Sequence, residues 1–210
     1  METPNQKQVW NAIAPEWYEF KVGKPSPFVE EFLGKQKEGS KILDLGCGAG
    51  RHFYKTEAEI YAVDFSDEMI KYAKLHAKKL KIKNVNFFVA EAWKLPFEDN
   101  LFDVVLLISV MHCIQTKEHR QQTLKEVFRV LKSGGKVWLS NWNKESSRFK
   151  NKNKEDIVKW RDKGERFYYF YTEKELQKEI EKAGFKILSQ KSKNSNEMTH
   201  HSISFLLEKL

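Results

Sequence analysis

Short apolar segments alternate with helical patterns along much of the chain, and this alternation constrains the fold more than any other feature. The strand-like segments are 41–45, 60–63, 85–89, 102–109 and 135–140. Apolar residues at helical spacing lie between them, at 67–80 and at about 118–131. Strands that alternate with helices favour a mostly parallel α/β sheet that is covered by helices on both faces.

The C-terminal part breaks this alternation. A helical pattern at 172–183 is followed by two strand-like segments, 185–189 and 202–207, with no helix between them. Strands joined without a crossover helix pair antiparallel. We therefore predict a C-terminal antiparallel hairpin at the edge of the sheet, which brings the sheet to seven strands.

Two short helices are predicted before the first strand. Residues 5–20 have an apolar helical face, which we expect Pro15 to end or kink. A second helix begins at Pro27, is capped by Ser26 and runs to about Leu33. Both helices precede the regular alternation and are interpreted as a cap.

Composition indicates one globular domain over residues 1–210. Charged residues make up 31% and hydrophobic residues 40%, and no apolar run reaches the roughly 20 residues that span a bilayer. The polar N-terminus predicts no signal peptide. Only Cys47 and Cys113 are present, so we predict no disulfide framework, no metal site and a reducing, cytoplasmic location. The net charge of +8 favours an anionic partner such as nucleic acid.

A glycine-rich loop follows the first predicted strand directly. Asp44 is followed by Gly46, Gly48 and Gly50. Glycines let the backbone turn tightly and approach a ligand closely. A dinucleotide fingerprint would need a further glycine where Arg51 stands, so the loop indicates a different ligand class.

Acidic residues end the second and third predicted strands. Asp64 stands 20 residues after Asp44, where a carboxylate can accept both ribose hydroxyls of a nucleoside cofactor. The alternative role for Asp64 is to cap the next helix, but Ser66 can fill that role. Glu91 follows the third strand and precedes Ala92.

Together these motifs resemble those of the class I S-adenosylmethionine (SAM) methyltransferases over roughly residues 40–140. Glu91 stands where that family usually has Asp beside the adenine. The resemblance implies a Rossmann-like fold, SAM as cofactor and a SAM-binding core at 40–140. It implies as cofactor-binding residues Tyr18, Asp44, Gly46, Cys47, Gly48, Gly50, Asp64, Phe65, Met69, Glu91, Ala92 and Ser109.

The flanks resemble the tRNA wobble-uridine carboxymethyl methyltransferases, which include the methyltransferase domain of the vertebrate AlkB-like tRNA protein. The similar stretches are 9–15, 24–27, 108–112, 166–171 and 205–210. Cys113 replaces the second of two family histidines, and Phe20–Val22 stands where an Arg is expected. The resemblance implies a tRNA substrate and a small zinc-ribbon activator beside the third strand, where Phe87 and Val89 are candidates. Ordinary core packing is the alternative for both.

Substrate orientation is assigned to His112, Arg166 and Tyr168. A carboxylate oxygen is anionic at neutral pH, so methylation of it requires positioning and no strong general base. A structural histidine remains the alternative for His112, and packing remains the alternative to base stacking for the aromatic run 167–171. Trp17 and Tyr18 are candidates to close over the cofactor, and packing is the alternative for both.

Two lysine-rich segments carry the charge excess. Residues 71–83 hold six lysines and no acid, which is typical of a solvated helix face. Residues 144–166 hold nine basic and five acidic residues and are interpreted as an insertion, either mobile or acting as a lid or RNA contact. A C-terminal helix and hairpin then occupy 167–210.

Two other functions stay open. One is a small-molecule SAM-dependent methyltransferase like those of quinone biosynthesis, and the other is a SAM-binding module without catalysis. No membrane or DNA partner is expected.

Overall fold

The computed structural model describes residues 4–23, 27–191 and 201–210, and a seven-stranded sheet forms its centre. The strands are β1 (Lys41–Leu45), β2 (Glu59–Asp64), β3 (Val85–Val89), β4 (Phe102–Ile108), β5 (Leu131–Trp142), β6 (Glu155–Trp160), β7 (Gly164–Tyr169), β8 (Phe185–Lys191) and β9 (Ser202–Lys209). The central sheet has the order β3-β2-β1-β4-β5-β9-β8. The first five of these strands are parallel, and β9 runs antiparallel to both β5 and β8. The predicted sheet and its C-terminal hairpin are confirmed.

Among the described residues, five α-helices accompany the strands. They are α1 (Gln6–Lys21), α2 (Pro27–Gly34), α3 (Asp67–Leu80), α4 (Lys117–Val130) and α5 (Glu173–Lys182), and a 3₁₀ turn lies at Met111–Cys113. Hydroxyl side chains cap α3, α4 and α5, as Ser66 does by accepting from the Met69 backbone N–H at 3.0 Å. In the part of the chain that the structure describes, no helix has the length and apolar character needed to cross a membrane.

We expected Pro15 either to end or to kink the first helix. The expectation that it ends the helix is wrong, because α1 continues through Pro15 to Lys21. Ile13 and Ala14, which precede the proline, are completely buried. Tertiary packing of that face compensates for the hydrogen bond that proline removes. The predicted cap residue Ser26, like most of the 24–27 stretch, lies outside the described residues.

Helices cover both faces of the sheet, as predicted. On one face, Leu124 of α4 and Leu176 of α5 pack on the strands with Val105 and Val137. On the other face, α2 packs on β1, β4 and β5, and α3 packs on β2. The middle strands are therefore buried on both sides, which is why they consist of continuous apolar runs.

Strands β6 and β7 form a separate antiparallel hairpin that the sequence analysis did not predict. The segment 144–166 therefore contains regular structure, β6 and the start of β7, which its interpretation as an insertion did not include. The hairpin is fixed to α1, since the Gln6 side chain accepts a hydrogen bond from the Phe167 N–H (2.9 Å) and donates to the Glu165 carbonyl (3.3 Å). Trp160 donates its indole N–H to Glu16 at 3.1 Å. Together α1 and the β6–β7 hairpin form a roof at the carboxyl ends of the parallel strands.

Candidate active site

A cavity of about 860 Å³ lies under this roof, at the carboxyl ends of β1, β2, β4 and β5. Ligands of open α/β sheets bind at this edge, where the strand order reverses between β1 and β4. Of the predicted site residues, the cavity is lined by Gly46, Cys47, Gly48, Asp64, Phe65, Met69, Glu91, Ala92, Ser109, His112 and Tyr168. Tyr18, Asp44, Gly50 and Arg166 do not line it.

The glycine loop is held to the neighbouring strand by its backbone. The amides of Gly46 and Cys47 both donate to the Val63 carbonyl, at 2.7 and 2.9 Å. Gly46 has φ +71°, and a Cβ there would lie 2.3 Å from Cγ2 of Val110. Position 46 therefore requires glycine for both its conformation and its space.

Asp64 is oriented by two backbone amides. Its carboxylate accepts from the Gly48 N–H and the Ser66 N–H, both at 2.9 Å, and each oxygen keeps a further lone pair. Burial raises the pKa of Asp64 to about 6. The carboxylate thus supports the loop and the start of α3 while it faces the cavity.

Asp44 lies near Asp64 but does not reach the cavity. It is 2% exposed, and among the described residues its Oδ2 has no hydrogen-bond partner. Burial, and then the charge of Asp64, raise the pKa of Asp44 to about 7. Two buried carboxyl groups whose ionisation is disfavoured provide a favourable environment for a cationic ligand.

Glu91, the third acidic residue of the predicted site, lines the cavity close to two stacked aromatic rings. Burial raises the pKa of Glu91. Nearby, the Trp93 and His119 rings stack with centroids 4.1 Å apart, and both line the cavity. Trp93 directly follows the predicted site residue Ala92 in the sequence. No sequence pattern indicated that His119 would stack on Trp93.

Tyr18 and Gly50 have packing roles. The Tyr18 ring lies 5.2 Å from that of Tyr72, and it is the adjacent Trp17 that lines the cavity. Gly50 has φ +85°, and the Phe53 ring occupies the space where its Cβ would lie, at 2.6 Å. Cys47 lines the cavity, but burial raises the pKa of its thiol well above the usual range, so it is not an activated nucleophile.

His112 faces the other half of the cavity. Its Nδ1 lies 3.1 Å from the Asn141 Oδ1, and its ring stacks on Trp142 with centroids 4.9 Å apart. Burial lowers the pKa of His112 to about 4, so the imidazole is neutral at pH 7. His112 is thus both packed against its neighbours and part of the cavity lining. A structural role and a role in orienting the substrate are therefore compatible.

Arg166 does not line the cavity but contacts three side chains that do, Tyr168, Trp10 and Trp17. Its guanidinium donates to the Tyr168 hydroxyl at 2.7 Å and lies 5.1 Å from the Trp160 ring. Burial raises the pKa of Tyr168, so the phenol stays protonated. The hydrogen bond from Arg166 therefore fixes the Tyr168 hydroxyl from outside the cavity lining. The run 167–171 is buried throughout, which agrees with the packing alternative, although Tyr168 also lines the cavity.

Several lining residues were missed by the sequence analysis. They include Trp10, Arg51, His119, Trp142, Arg148 and Phe149. Trp142 was missed because β5 extends two residues beyond its predicted end at 140. Arg148 and Phe149 were missed because they lie in the segment interpreted as an insertion.

The residues present fit SAM. The glycine loop leaves room for close approach, and Asp64 offers acceptor lone pairs for ribose hydroxyls. The acidic surroundings suit the sulfonium and ammonium charges of this cofactor.

Comparison with known proteins agrees with this fit. A family model described as a methyltransferase domain matches residues 36–198. The chain is 29% identical to human "Probable tRNA methyltransferase 9B" over 76% of this chain and 34% of that protein. It is 31% identical to the tRNA (carboxymethyluridine(34)-5-O)-methyltransferase of Saccharomyces cerevisiae over 64% of this chain and 47% of that protein. Demethylmenaquinone methyltransferase of Lactococcus lactis is 36% identical over 47% of this chain and 40% of that protein.

Solved structures share the fold. A SAM-dependent methyltransferase from Methanosarcina mazei has a TM-score of 0.70 at 22% identity, covering 90% of this chain and 99% of that one. The [4+2]-cyclase SpnF has a TM-score of 0.74 at 16% identity, covering 100% and 97%. A Haloferax volcanii methyltransferase in complex with the Trm112 methyltransferase activator has a TM-score of 0.71 at 17% identity, covering 99% and 97%.

The chain spans about a third to a half of the length of the curated relatives it matches. The family match, by contrast, extends over most of the chain and includes the glycine loop, the strand-end acids and the roof hairpin. The chain therefore belongs to the methyltransferase-domain family, as a class I methyltransferase whose cofactor is SAM.

Proposed function

We propose that the chain methylates the carboxylate of a 5-carboxymethyl-type uridine at the tRNA wobble position. The observation that carries the proposal is a single cavity with two chemically different halves. One half holds Asp64 and Glu91, and the other holds Trp142, Arg148 and Tyr168. A cationic methyl donor suits the first half, and a planar, anionic acceptor suits the second. The names of the yeast and human relatives support a tRNA substrate.

The chain's own residues would divide the work between these halves. When bound, SAM supplies an electrophilic methyl group on a sulfonium sulfur. Asp64 would hold the ribose hydroxyls, and Glu91 with Ala92 would border the adenine. The roof of α1 and the β6–β7 hairpin excludes water and limits the orientations that donor and acceptor can take.

No general base is needed at the acceptor half. An acceptor carboxylate is ionised at neutral pH, and His112 is neutral there because of its burial. We therefore assign His112 and Tyr168 to shaping and orienting the acceptor, with Arg166 fixing the Tyr168 hydroxyl.

The direct test is methyl transfer from labelled SAM to total tRNA, followed by nucleoside analysis by mass spectrometry. We expect the methyl ester of a 5-carboxymethyluridine as the labelled product. Asp64→Ala should weaken SAM binding and abolish the label. Asp67→Ala is the matched control, since Asp67 is exposed, pairs with Lys7 and does not line the cavity. Label found only in lipid-soluble material would overturn the proposal.

A specific observation favours a second candidate, a small-molecule methyltransferase. The Lactococcus lactis relative is named for a quinone precursor, and the acceptor half of the cavity is rich in aromatic rings. Salt-dependent binding to tRNA favours the first function, whereas transfer to a lipid extract favours the second. SAM binding without transfer to either would indicate a binding module.

We further propose that the free edge of β3 docks a small activator of the Trm112 type. β3 is the edge strand of the sheet, and its last residue, Val89, is 49% exposed. Phe87 is half-buried against Phe53, so Val89 contributes more of the exposed surface. Val89→Lys should abolish co-purification with a zinc-ribbon activator and leave the fold intact. Full tRNA activity of the chain alone would overturn this part.

A cytoplasmic location stays a prediction from the sequence.

A further inference from the structure

The loop between β5 and β6 has a defined structure built by its own side chains. The Asn143 side chain accepts from the Glu145 N–H at 2.8 Å, and the buried Ser146 hydroxyl donates to the Asn143 carbonyl at 2.8 Å. The Lys144 ammonium donates to the Lys150 carbonyl at 2.6 Å. These local bonds close the loop on itself, so the residues it carries have fixed positions.

Phe149 anchors the loop in the roof of the cavity. It is 5% exposed, and its ring lies 4.7 Å from that of Trp142 and 4.8 Å from that of Phe170. This insertion fixes the preceding residue, Arg148, at the cavity wall. The Arg148 guanidinium lies 5.3 Å from the Phe149 ring and 5.9 Å from the Trp142 ring.

The neighbours of the Arg148 guanidinium are aromatic. Within residues 4–23, 27–191 and 201–210, no side chain forms an ion pair or a hydrogen bond with its guanidinium. By contrast, Lys152, Lys154, Lys159 and Lys163 of the same segment all form salt bridges. The fork of Arg148 is therefore available to a ligand, with its donors intact.

Further positive charge converges on the same cavity. Lys21 and Arg51 also line it, and neither forms a salt bridge with any of the residues that the structure describes. Burial, and then the charges of Arg51, Arg166 and Arg148, lower the pKa of Lys21. An anion bound close to Lys21 and Arg148 would relieve the repulsion between these positive charges. Asp64 and Glu91 would repel the same anion from the half of the cavity that they line.

We propose that Arg148 binds the carboxylate of the methyl acceptor. The proposal rests on the proposed function and names the residue that would select an anionic acceptor. A planar guanidinium pairs with a carboxylate through two parallel hydrogen bonds, and lone pairs remain on both oxygens. The methyl ester carries no charge, so the same residue distinguishes the substrate from the product and favours product release.

The test compares three variants of the whole chain. Arg148→Gln removes the charge, Arg148→Lys keeps the charge without the fork, and Lys150→Gln removes a charge from the same loop outside the cavity. We expect Arg148→Gln to lower kcat/KM for tRNA about 10- to 100-fold, with an intermediate loss in Arg148→Lys. Lys150→Gln should stay within about twofold of the wild type. Because Arg148 is exposed, the melting temperature should not change.

Binding probes identify the anion. Wild-type protein should bind the nucleoside 5-carboxymethyluridine more tightly than its uncharged amide, 5-carbamoylmethyluridine, and Arg148→Gln should lose this preference. If Arg148→Gln weakens binding of SAM itself, Arg148 holds the cofactor's carboxylate and the proposal is overturned. If it weakens tRNA binding and leaves nucleoside binding unchanged, the contact is to a backbone phosphate and the proposal is also overturned.

The two proposals fail in different ways. Unchanged kcat/KM in Arg148→Gln, with an active wild type, would overturn the role of Arg148 and leave the tRNA function standing. A wild type that esterifies no tRNA would overturn the proposed function. In that case the preference for the acid over the amide probe still decides whether Arg148 selects a carboxylate.

Discussion

The two halves of the cavity are built in different ways. The cofactor half comes from loops that directly follow β1, β2 and β3, and backbone bonds such as those from Gly46 and Cys47 to Val63 hold it in place. The acceptor half is assembled from side chains that are far apart in sequence, among them His112, Trp142 and Tyr168. A local motif thus suffices to define the first half, whereas only the complete tertiary structure defines the second.

The halves also differ in electrostatics. Asp44 and Asp64 are buried carboxyl groups whose pKa values are raised, so the fold carries unfavourable negative charge there. The acceptor half combines stacked rings with the cation of Arg148. Variants that affect one half and spare the other therefore test whether the division is real.

The largest effect is expected for Gly46→Ala. The added Cβ would meet Val110 at 2.3 Å at a backbone φ of +71°, so the glycine loop must move and SAM binding should be lost. Titration calorimetry with SAM measures this. Gly39→Ala is the control, since Gly39 has φ +80° but nothing within 4 Å of the added Cβ, and it should cost only about 1 kcal/mol of stability. Equal SAM affinity in both variants would contradict the assignment of the loop.

A large but selective effect is expected for Trp142→Ala. Trp142 contacts the rings of His112, Phe149 and Tyr168, so its loss opens the acceptor half. We expect kcat/KM for the acceptor to fall about 10- to 100-fold while the Kd for SAM stays within about threefold. Phe20→Ala, at an exposed aromatic residue outside the cavity lining, should change neither constant. If SAM binding falls as much as acceptor turnover, the two halves are not separable.

The third prediction concerns the pH dependence of stability. The pKa of Asp44 is about 7 in the fold, above its ordinary value of 3.8, so the folded state binds this proton more tightly than the unfolded state does. Stability without cofactor should therefore fall as pH rises from about 4 to 7, by an amount on the order of a few kcal/mol. Urea unfolding measured across this range should show a shallower decline in Asp44→Asn.

The control for this profile is Asp67→Asn. Lys7 lowers the pKa of the exposed Asp67 through a hydrogen bond, so this group acts in the opposite direction and its removal should leave the decline in place. A steep decline that is identical in wild type and Asp44→Asn would assign the effect to another group.

The smallest effect is expected for Glu16→Gln, which weakens the tie between α1 and the β6–β7 hairpin. Glu16 pairs with Lys163 at 2.6 Å and accepts from Trp160 at 3.1 Å. Glutamine keeps an acceptor for the Trp160 indole, the Lys163 partner of the lost ion pair is exposed, and Gln6 still joins the two elements, so both KM values should rise by no more than about threefold. Gln6→Ala should do more, because it removes buried hydrogen bonds. Equal rises in KM for Glu16→Gln and Gln6→Ala would show that the ion pair of Glu16 holds the roof as strongly as the Gln6 hydrogen bonds do.

The sequence predicts the cofactor half closely. β1 and β3 have the bounds read from apolar runs, and α3 occupies 67–80 because Ser66 caps it and its apolar spacing is regular. It does not predict the β6–β7 hairpin, because charged residues interrupt β6 and the buried residues 166–169 of β7 follow one another without the alternation that marks a half-buried strand. Nor does it distinguish between the two candidates Trp17, which lines the cavity, and Tyr18, which does not, since the direction of adjacent side chains on one helix depends on tertiary packing.

The Gln6 bonds to Glu165 and Phe167 also bear on the order in which the protein assembles. They join residues separated by 159 and 161 positions, so the first helix meets its partner strand only after most of the chain has left the ribosome. Contacts of such high sequence separation form late and slowly. The glycine loop and its acids can therefore be complete while the cavity still lacks its roof, and a nascent chain would pass through an open form that cannot exclude water from the reacting groups.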